Sequence, residues 1–288
     1  MVEGVIEQVR RQIGEAVFER VAGADRSVAR ERMQEADGTR WFPDGSPITR
    51  VHGDSAMFVA GLRALLLQSL HPLAMAGVAE HSDYRGDPWG RLARTSYFLA
   101  ATTFGNGEMA EAAIAGVRTV HQRVRGSAPD GRSYSANDPW LLRWVHVAEV
   151  DSFLRAHQRY GARPLDTDDC DVYVAQTAKV GEALGASDVP HSQDELDEAL
   201  REFRPELAGT PAAREAARFL LLQPPLPLAA RAPYTLLGAA AVSMLPLWAR
   251  WPLRLPWLPL TEATLVRGAG EVLTRTIRWS LVPPATDG

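Results

Sequence analysis

The sequence predicts an all-α protein. Apolar residues recur with a period near 3.6 along almost the whole chain, period-2 alternation is nearly absent, and no β-hairpin signal stands out. Short segments rich in glycine, proline and aspartate separate the periodic stretches, as is typical of turns between helices. The predicted helices are 3–22, 24–36, 54–80, 90–104, 107–126, 138–160, 166–186, 192–204, 210–222, 232–250 and 258–280.

Capping side chains mark several of the helix starts, because a short polar side chain can accept a hydrogen bond from the first turn. The starts marked in this way are Asp54, Asp138, Asp166 and Ser192. The predicted helix 54–80 is apolar nearly all round, which favours a place in the middle of a helical bundle. Pro72 lies inside this helix and predicts a kink or an interruption there.

Composition limits the domain count and the class of partner. A chain of 288 residues with 46% hydrophobic and 23% charged residues is long enough for one sizeable core. We expect a single domain made of an N-terminal helical arm (1–50), a core (51–223) and an apolar C-terminal wrap (224–288). Asp and Glu outnumber Lys and Arg by 35 to 31, which disfavours a protein that binds nucleic acid through phosphate contacts.

Cysteine and lysine usage excludes further classes of chemistry. Lys179 is the single lysine, so Schiff-base chemistry has almost no amine to use. Cys170 is the single cysteine, which excludes an internal disulfide and a zinc site with two cysteines, and favours the reducing cytoplasm. Neighbouring aspartates should raise the pKa of its thiol. We expect no signal peptide, because the first twenty residues carry acids and arginines throughout.

The last sixty residues are rich in proline, leucine, tryptophan and arginine. The longest apolar stretch, 234–249, is cut by Pro246 and is too short to span a bilayer. Packing over the core is one interpretation of this region. Peripheral contact with a membrane surface, or the lining of a substrate channel, is the other.

Several common catalytic motifs are absent or lack their context. A Gly-x-Gly-x-x-Ala run over 105–110 matches a dinucleotide-binding turn, but no second strand with an acidic residue follows it. The sequence contains no G-x-S-x-G elbow and no phosphate-binding P-loop. The pair of Glu-x-x-His motifs of a di-iron bundle is also missing, since His146 and Glu149 form one pair in the reverse order.

One histidine combines a helical position with an apolar face. The predicted helix 107–126 carries an apolar stripe of Ala113, Val117, Val120 and Val124, and His121 lies on this stripe. Burying an imidazole without a partner costs about 1–3 kcal/mol. A metal ion is one partner that would remove this cost, and a buried carboxylate is another.

A polar cluster lies on the preceding predicted helix. Arg91, Arg94 and Thr95 are spaced i, i+3 and i+4, which places them on one face, and the same stripe continues to Phe98 and Thr102. This face is either a solvated edge or a polar cluster above a pocket, where arginine binds an anion or a polar ligand.

Three runs of sequence together resemble one protein family. They are HPLAMAGVAEHSDYRGDPWGRLARTSYFLAATTFG, VHQRVRG and YSANDPWLLRWVHVAEVDSFLRAHQRYG. Their order and spacing are similar to those of the rubber oxygenase (latex clearing protein) and MpaB oxygenase family over about residues 45–280. The resemblance implies an all-α protein with a globin-like core that holds haem b through a histidine. It also implies the use of O2 to oxygenate or cleave carbon–carbon double bonds in isoprenoid chains.

The resemblance implies roles for individual residues. His121 corresponds to the histidine that ligates the haem iron. Arg91, Arg94 and Thr95 correspond to a distal R-x-x-K-T motif and would be the catalytic residues. Arg91, Thr95 and Phe98 would also contact the haem. Thr95 would hydrogen-bond O2 or water.

The sequence departs from the family motif at Arg94. Rubber oxygenase has a lysine at this position, which can ligate the iron, whereas a guanidinium has no lone pair to offer. We therefore expect no ligation by this side chain, and cleavage of rubber itself comes into doubt. Glu80 is the nearest acid to the place of the family's catalytic glutamate.

The sequence thus predicts a haem b-dependent oxygenase that acts with O2 on a hydrophobic, isoprenoid or lipid-like substrate. A haem sensor or carrier without turnover, and a haem-free helical protein that binds lipid or a membrane surface, are the alternatives. Of the other histidines, three are expected to be structural and three exposed. The first group is His71, His81 and His146, and the second is His52, His157 and His191.

Overall fold

The computed structural model describes residue 10 and residues 38–281. Within this part of the chain the predicted all-α class is confirmed. The helices before the strands are α1 Pro47–His52, α2 Met57–Gln68, α3 Pro72–His81, α4 Pro88–Phe104 and α5 Gly107–His121. Those after them are α6 Pro139–Tyr160, α7 Thr167–Leu184, α8 Gln193–Phe203, α9 Pro211–Leu222, α10 Leu228–Ser243, α11 Leu247–Leu253, α12 Pro259–Thr261 and α13 Arg267–Leu281. Apart from residue 10, the predicted helices 3–22 and 24–36 lie outside the described residues.

Three of the four predicted helix starts are confirmed by their capping bonds. Asp138 accepts a hydrogen bond from the Trp140 backbone N–H before α6, Asp166 caps α7, and Ser192 caps α8. Asp54 differs: its carboxylate accepts from the Ala56 N–H at 2.8 Å, and α2 begins only at residue 57. Asp54 therefore forms a turn ahead of the helix rather than its cap.

The predicted helix 54–80 is interrupted at Pro72, as expected. It forms α2 and α3, and the chain bends by 107° between them. A proline has no N–H to donate and forces the preceding residue out of the helical region, and His71 accordingly has an extended backbone. Among the described helices none is long and apolar enough to span a membrane alone; α2 and α3 meet that criterion only as this bent pair.

A β-hairpin replaces the end of the predicted helix 107–126, which was wrong beyond residue 121. Strands β1 Arg125–Ser127 and β2 Ser133–Ser135 pair antiparallel, with Gly126 opposite Tyr134. Strands of three residues are too short to show a period in the sequence. The turn between them uses Gly131 at φ +85°, a conformation that glycine adopts without strain.

The C-terminal helices also differ from their predicted bounds. The stretch 232–250 forms two helices, α10 and α11, because Pro246 occupies the N-cap position of the second. The stretch 258–280 begins as the short α12, continues through a π-helical segment, Glu262–Val266, and becomes α13.

The core forms around α2 and α6, which pack along one another. The prediction that the apolar stretch lies in the middle of the bundle is confirmed for α2. Its one charged side chain, Arg63, is buried and pairs with Asp151 of α6 at 2.7 Å. Part of the C-terminal region joins the same core, including Leu245, Ala249 and Leu253.

Candidate functional site

The predicted site residues lie on α4 and α5, which pack against each other. Gly105 and Asn106 join the two helices, and the Asn106 side chain caps α5 by accepting from the Met109 N–H at 2.9 Å. Arg91 lies 15 residues before Asn106 and His121 lies 15 residues after it. At about 1.5 Å per residue, each lies about 22 Å along its own helix from this turn.

Helix α3 contacts the chain on both sides of the candidate site. The Arg91 guanidinium donates to the Ser82 hydroxyl, directly after α3, at 2.8 Å. A Cβ atom on Gly77 of α3 would lie 3.7 Å from Cγ1 of Val124, three residues beyond His121. The end of α3 therefore lies beside Arg91, and its middle lies beside the chain that follows His121.

His121 is the last residue of α5 and is half-buried. Its Nδ1 is buried and has no hydrogen-bond partner among the described residues. Burial lowers the pKa of the imidazole, so the ring is neutral at pH 7 and can bind a metal through a nitrogen lone pair.

The apolar stripe predicted beside His121 is only partly buried. The buried positions of α5 are Ala110 and Ile114, whereas Val120 is 61% exposed. The expectation that the whole stripe faces the core was therefore wrong for Val120. The helix turns its buried face toward its neighbours in its first two turns, and its last turn lies nearer to solvent.

The polar face predicted on α4 is divided between two environments. Arg91 and Phe98 are partly buried, and burial lowers the pKa of the Arg91 guanidinium. The Arg94 side chain is 71% exposed and pairs with Asp87, the N-cap residue of α4, at 3.2 Å. Thr95 is exposed, and its hydroxyl donates to the Arg91 carbonyl at 3.1 Å. Arg91 is thus the member of this face that also contacts α3.

A second polar cluster, which the sequence did not reveal, joins the end of α3 to β2. The Tyr134 hydroxyl donates to the Glu80 carboxylate, and Nε2 of His81 lies 3.1 Å from the same hydroxyl oxygen. Burial raises the pKa of Tyr134 to about 12, and the hydrogen bond and charge of Glu80 add to this shift. The hydroxyl therefore keeps its proton and fixes the position of the carboxylate.

Two histidines expected to be exposed lie in the interior. His157 is buried, and His52 is largely buried with Nδ1 2.8 Å from the Thr103 hydroxyl and Nε2 3.3 Å from the Tyr173 hydroxyl. Burial, with a smaller contribution from the charge of His157, lowers the pKa of His52 to about 3. His191 is exposed, as expected. His52 and His157 lie on helix faces whose burial depends on neighbours distant in sequence.

The three histidines expected to be structural have different surroundings. His71 is fully buried against Trp144 and Phe203. His146 lies against Gly181, and burial lowers its pKa to about 4, with a smaller effect of the His191 charge.

Cys170 is buried, and its thiol pKa is raised, first by burial and then by the neighbouring aspartates.

The side chains around His121 limit the kind of metal centre or cofactor that it could hold. In the described ranges, no group of three or more His, Cys, Asp or Glu side chains is placed to bind a metal ion. His121 would therefore serve as a single protein ligand. Haem would need only one such protein ligand, because the porphyrin supplies four nitrogens to the iron. A neutral, unpartnered histidine fits this role.

The fold and this helix pair define an all-α domain with a candidate single-histidine cofactor site. The sequence matches the family described as ER-bound oxygenase mpaB/B'/Rubber oxygenase, catalytic domain, over residues 49–279. The match covers 231 of the 288 residues, and the chain belongs to this family of oxygenases. Comparison with curated proteins and comparison with solved structures each found no match.

Proposed function

We propose that this oxygenase holds haem b through His121 and acts with O2 on a hydrophobic, isoprenoid or lipid-like substrate. The observation that carries the proposal is the neutral imidazole of His121, whose buried Nδ1 has no partner among the described residues. When bound, the haem would supply the activation of O2, and the protein would position the reactants and exclude water.

His121 would bind the iron because its ring is uncharged at pH 7. A protonated imidazole has no free nitrogen lone pair, and burial opposes protonation here. Being the last residue of α5, it is held by the helix on one side and by the β-hairpin connection on the other, where its carbonyl accepts from the Val124 N–H at 3.1 Å. This anchoring would fix the backbone that carries the ring.

Arg91 would bind an anionic or polar group of the cofactor or the substrate. Its hydrogen bond to Ser82 leaves further guanidinium N–H groups free to donate. Phe98, about two turns beyond Arg91 along α4, would contribute an apolar contact to the cofactor. Thr95 keeps a lone pair on its hydroxyl oxygen after donating to the Arg91 carbonyl, so it can accept a hydrogen bond from water.

Glu80 is the acid that we assign to proton transfer. The Tyr134 hydroxyl holds the carboxylate in place, and His81 lies beside the same hydroxyl. The Glu80 side chain remains 58% exposed, so it can exchange a proton with water or with a substrate.

A cytoplasmic location is also proposed, and the free, buried thiol of Cys170 supports it.

Absorption spectra of the purified protein, with and without dithionite and CO, test the cofactor assignment. We expect a Soret band that shifts on reduction and on CO binding in the wild type and in His191→Ala, whose histidine is exposed. His121→Ala should lose haem on gel filtration. An unchanged spectrum in His121→Ala would contradict the ligand assignment, and a folded wild-type protein that takes up no haemin would contradict the cofactor.

Oxygen consumption separates the oxygenase from the sensor or carrier. Haem-loaded protein should consume O2 when a long-chain isoprenoid alkene is added. Reversible binding of O2 and CO without consumption, across alkenes and lipids of several lengths, would favour a sensor or carrier instead.

A further inference from the structure

The C-terminal part of the described chain exposes far more apolar surface than the rest. Among the described residues, eleven of the fifteen exposed large apolar side chains fall within 222–279. The most prominent are Trp251, Trp257, Leu258, Leu260 and Leu265, which we call the C-terminal apolar surface; Leu260 alone is 83% exposed. Scattered exposed apolar residues are ordinary, but such a concentration marks an interaction surface.

The fold holds this surface in place. Arg250 is buried and donates to both oxygens of Glu262, at 2.8 and 2.9 Å, and to the Pro256 carbonyl. Glu262 in turn accepts from the Leu258 N–H at 3.0 Å. The loop that carries Trp257 and Leu258 is thus tied on both sides to one buried ion pair. Its apolar side chains project from a fixed backbone.

The segment that carries most of the surface is positively charged, and Glu262, the acid between Leu260 and Leu265, is paired with Arg250. Between Glu215 and Glu262 the chain contains no acidic residue, whereas it contains four arginines, Arg218, Arg231, Arg250 and Arg254. This segment therefore carries +4 in a chain whose net charge is −4. Arg218 and Arg254 form no ion pair with a described residue, and Arg250 neutralises Glu262.

We infer that the C-terminal apolar surface seats this protein on an anionic lipid bilayer. Tryptophan and arginine are side chains that favour the boundary between lipid and water, since each combines apolar area with a polar end. Leucines on the same surface would insert among the acyl chains, and the unpaired arginines would meet lipid phosphates. The protein would lie on one leaflet through this surface.

A second copy of the chain fits the same surface less well. A two-fold contact would bring the positive segment of one copy against the same segment of its partner. Arg254 would then face a like charge without an acidic residue nearby in sequence to offset it. An anionic bilayer offsets this charge, and the inference does not depend on the proposed haem chemistry.

Vesicle binding of the full chain tests this inference. The wild type should sediment with phosphatidylcholine vesicles that contain phosphatidylglycerol and should not sediment with phosphatidylcholine alone. Added salt should weaken binding. Leu260→Glu should lower the partition coefficient by at least about tenfold, because it removes an inserted apolar side chain. Arg254→Glu should lower it by at least about fivefold, because it removes one favourable charge.

Matched controls lie elsewhere on the molecule. Val172→Glu introduces the same charge at an exposed apolar position of α7, and Arg163→Glu reverses an exposed arginine. Both should bind vesicles as the wild type does. Thermal unfolding of each variant checks that the fold is kept.

Three results would overturn the inference. The first is a wild type that ignores anionic vesicles, and the second is a Leu260→Glu variant that binds them as well as Val172→Glu does. The third is a wild-type dimer, measured by light scattering, that Leu260→Glu dissociates while neither protein binds vesicles. That third result would assign the surface to a second copy.

Discussion

Acid should destabilise the fold through His52, and the structure sets the size of the effect. The ring, at the end of α1, lies between α4, α6 and α7, with hydrogen bonds to Thr103 and Tyr173 and an edge contact to Phe153 at 5.5 Å between ring centroids. No acidic side chain is among these partners. Burial therefore lowers the pKa of His52 from 6.5 to about 3.

The sign and the pH window follow from this shift. The imidazole in the unfolded chain takes up a proton near pH 6.5, whereas the folded protein resists protonation until about pH 3. As pH falls, the unfolded state binds the proton first, so stability is full above pH 6.5 and is lost progressively toward pH 3. At about pH 5 the loss due to this one group is about 2 kcal/mol.

Urea unfolding of the wild type and His52→Gln at about pH 7.5 and about pH 5 measures this loss. Glutamine keeps a polar group near Thr103 and Tyr173 but has no group that titrates in this range. Its constant cost cancels when the two pH values are compared within one protein. The wild type should therefore lose about 2 kcal/mol more than His52→Gln on acidification.

A second histidine variant serves as the control for His52→Gln. His191→Gln changes an exposed histidine and should keep the pH dependence of the wild type, apart from the smaller effect that its charge has on His146. His146, whose pKa is also lowered, is present with His191 in the wild type and in His52→Gln, and its contribution cancels from the comparison of these two proteins. Equal losses in the wild type and His52→Gln would show that His52 protonates in the folded state as readily as in the unfolded chain. Burial would then not hold the pKa of His52 below its ordinary value.

Two further predictions concern stability alone. Asp151→Asn removes the charge that pairs with Arg63 in the interior and with Arg155, and it should cost about 3–5 kcal/mol in chemical denaturation; a cost under about 1 kcal/mol would show that the buried Arg63 charge does not depend on this carboxylate. Gly209→Ala would place a Cβ atom 1.9 Å from the Pro252 carbonyl oxygen and should destabilise by about 1–3 kcal/mol. Gly61→Ala is its control, since the site is open and helical, and it should stabilise by up to about 1 kcal/mol.

Local chemistry explains which parts of the fold the sequence predicts. Asp138, Asp166 and Ser192 cap helices because each side chain reaches an N–H two or three residues away. Pro72 interrupts a helix whatever surrounds it, since the missing N–H and the ring clash are properties of the residue itself. The hairpin 125–135 has only the Asp130–Gly131 turn as a local signal, because its strands are too short to show a period. The two strands are held by pairing with each other and by contact with α3.

The sequence predicts only those parts of the candidate site whose residues are close together in the chain. Tyr134 and Glu80 are 54 residues apart in sequence, and no periodicity connects a strand residue to the end of a helix. The placement of His121 at a helix end near α3 likewise depends on the hairpin that follows it. What the sequence did provide was the family resemblance, and of its α4 motif residues Arg91 is the one that contacts the end of α3.

Arg91 and Arg94 show why residues on one helix face need not share one environment. Their spacing places both on one side of α4, but α3 ends beside only the first of them, where Ser82 accepts its hydrogen bond. The second lies close enough to the start of α4 to pair with Asp87, the residue that caps the helix. Arg94 therefore has no lone pair to offer a metal, and its own helix cap holds it at the surface.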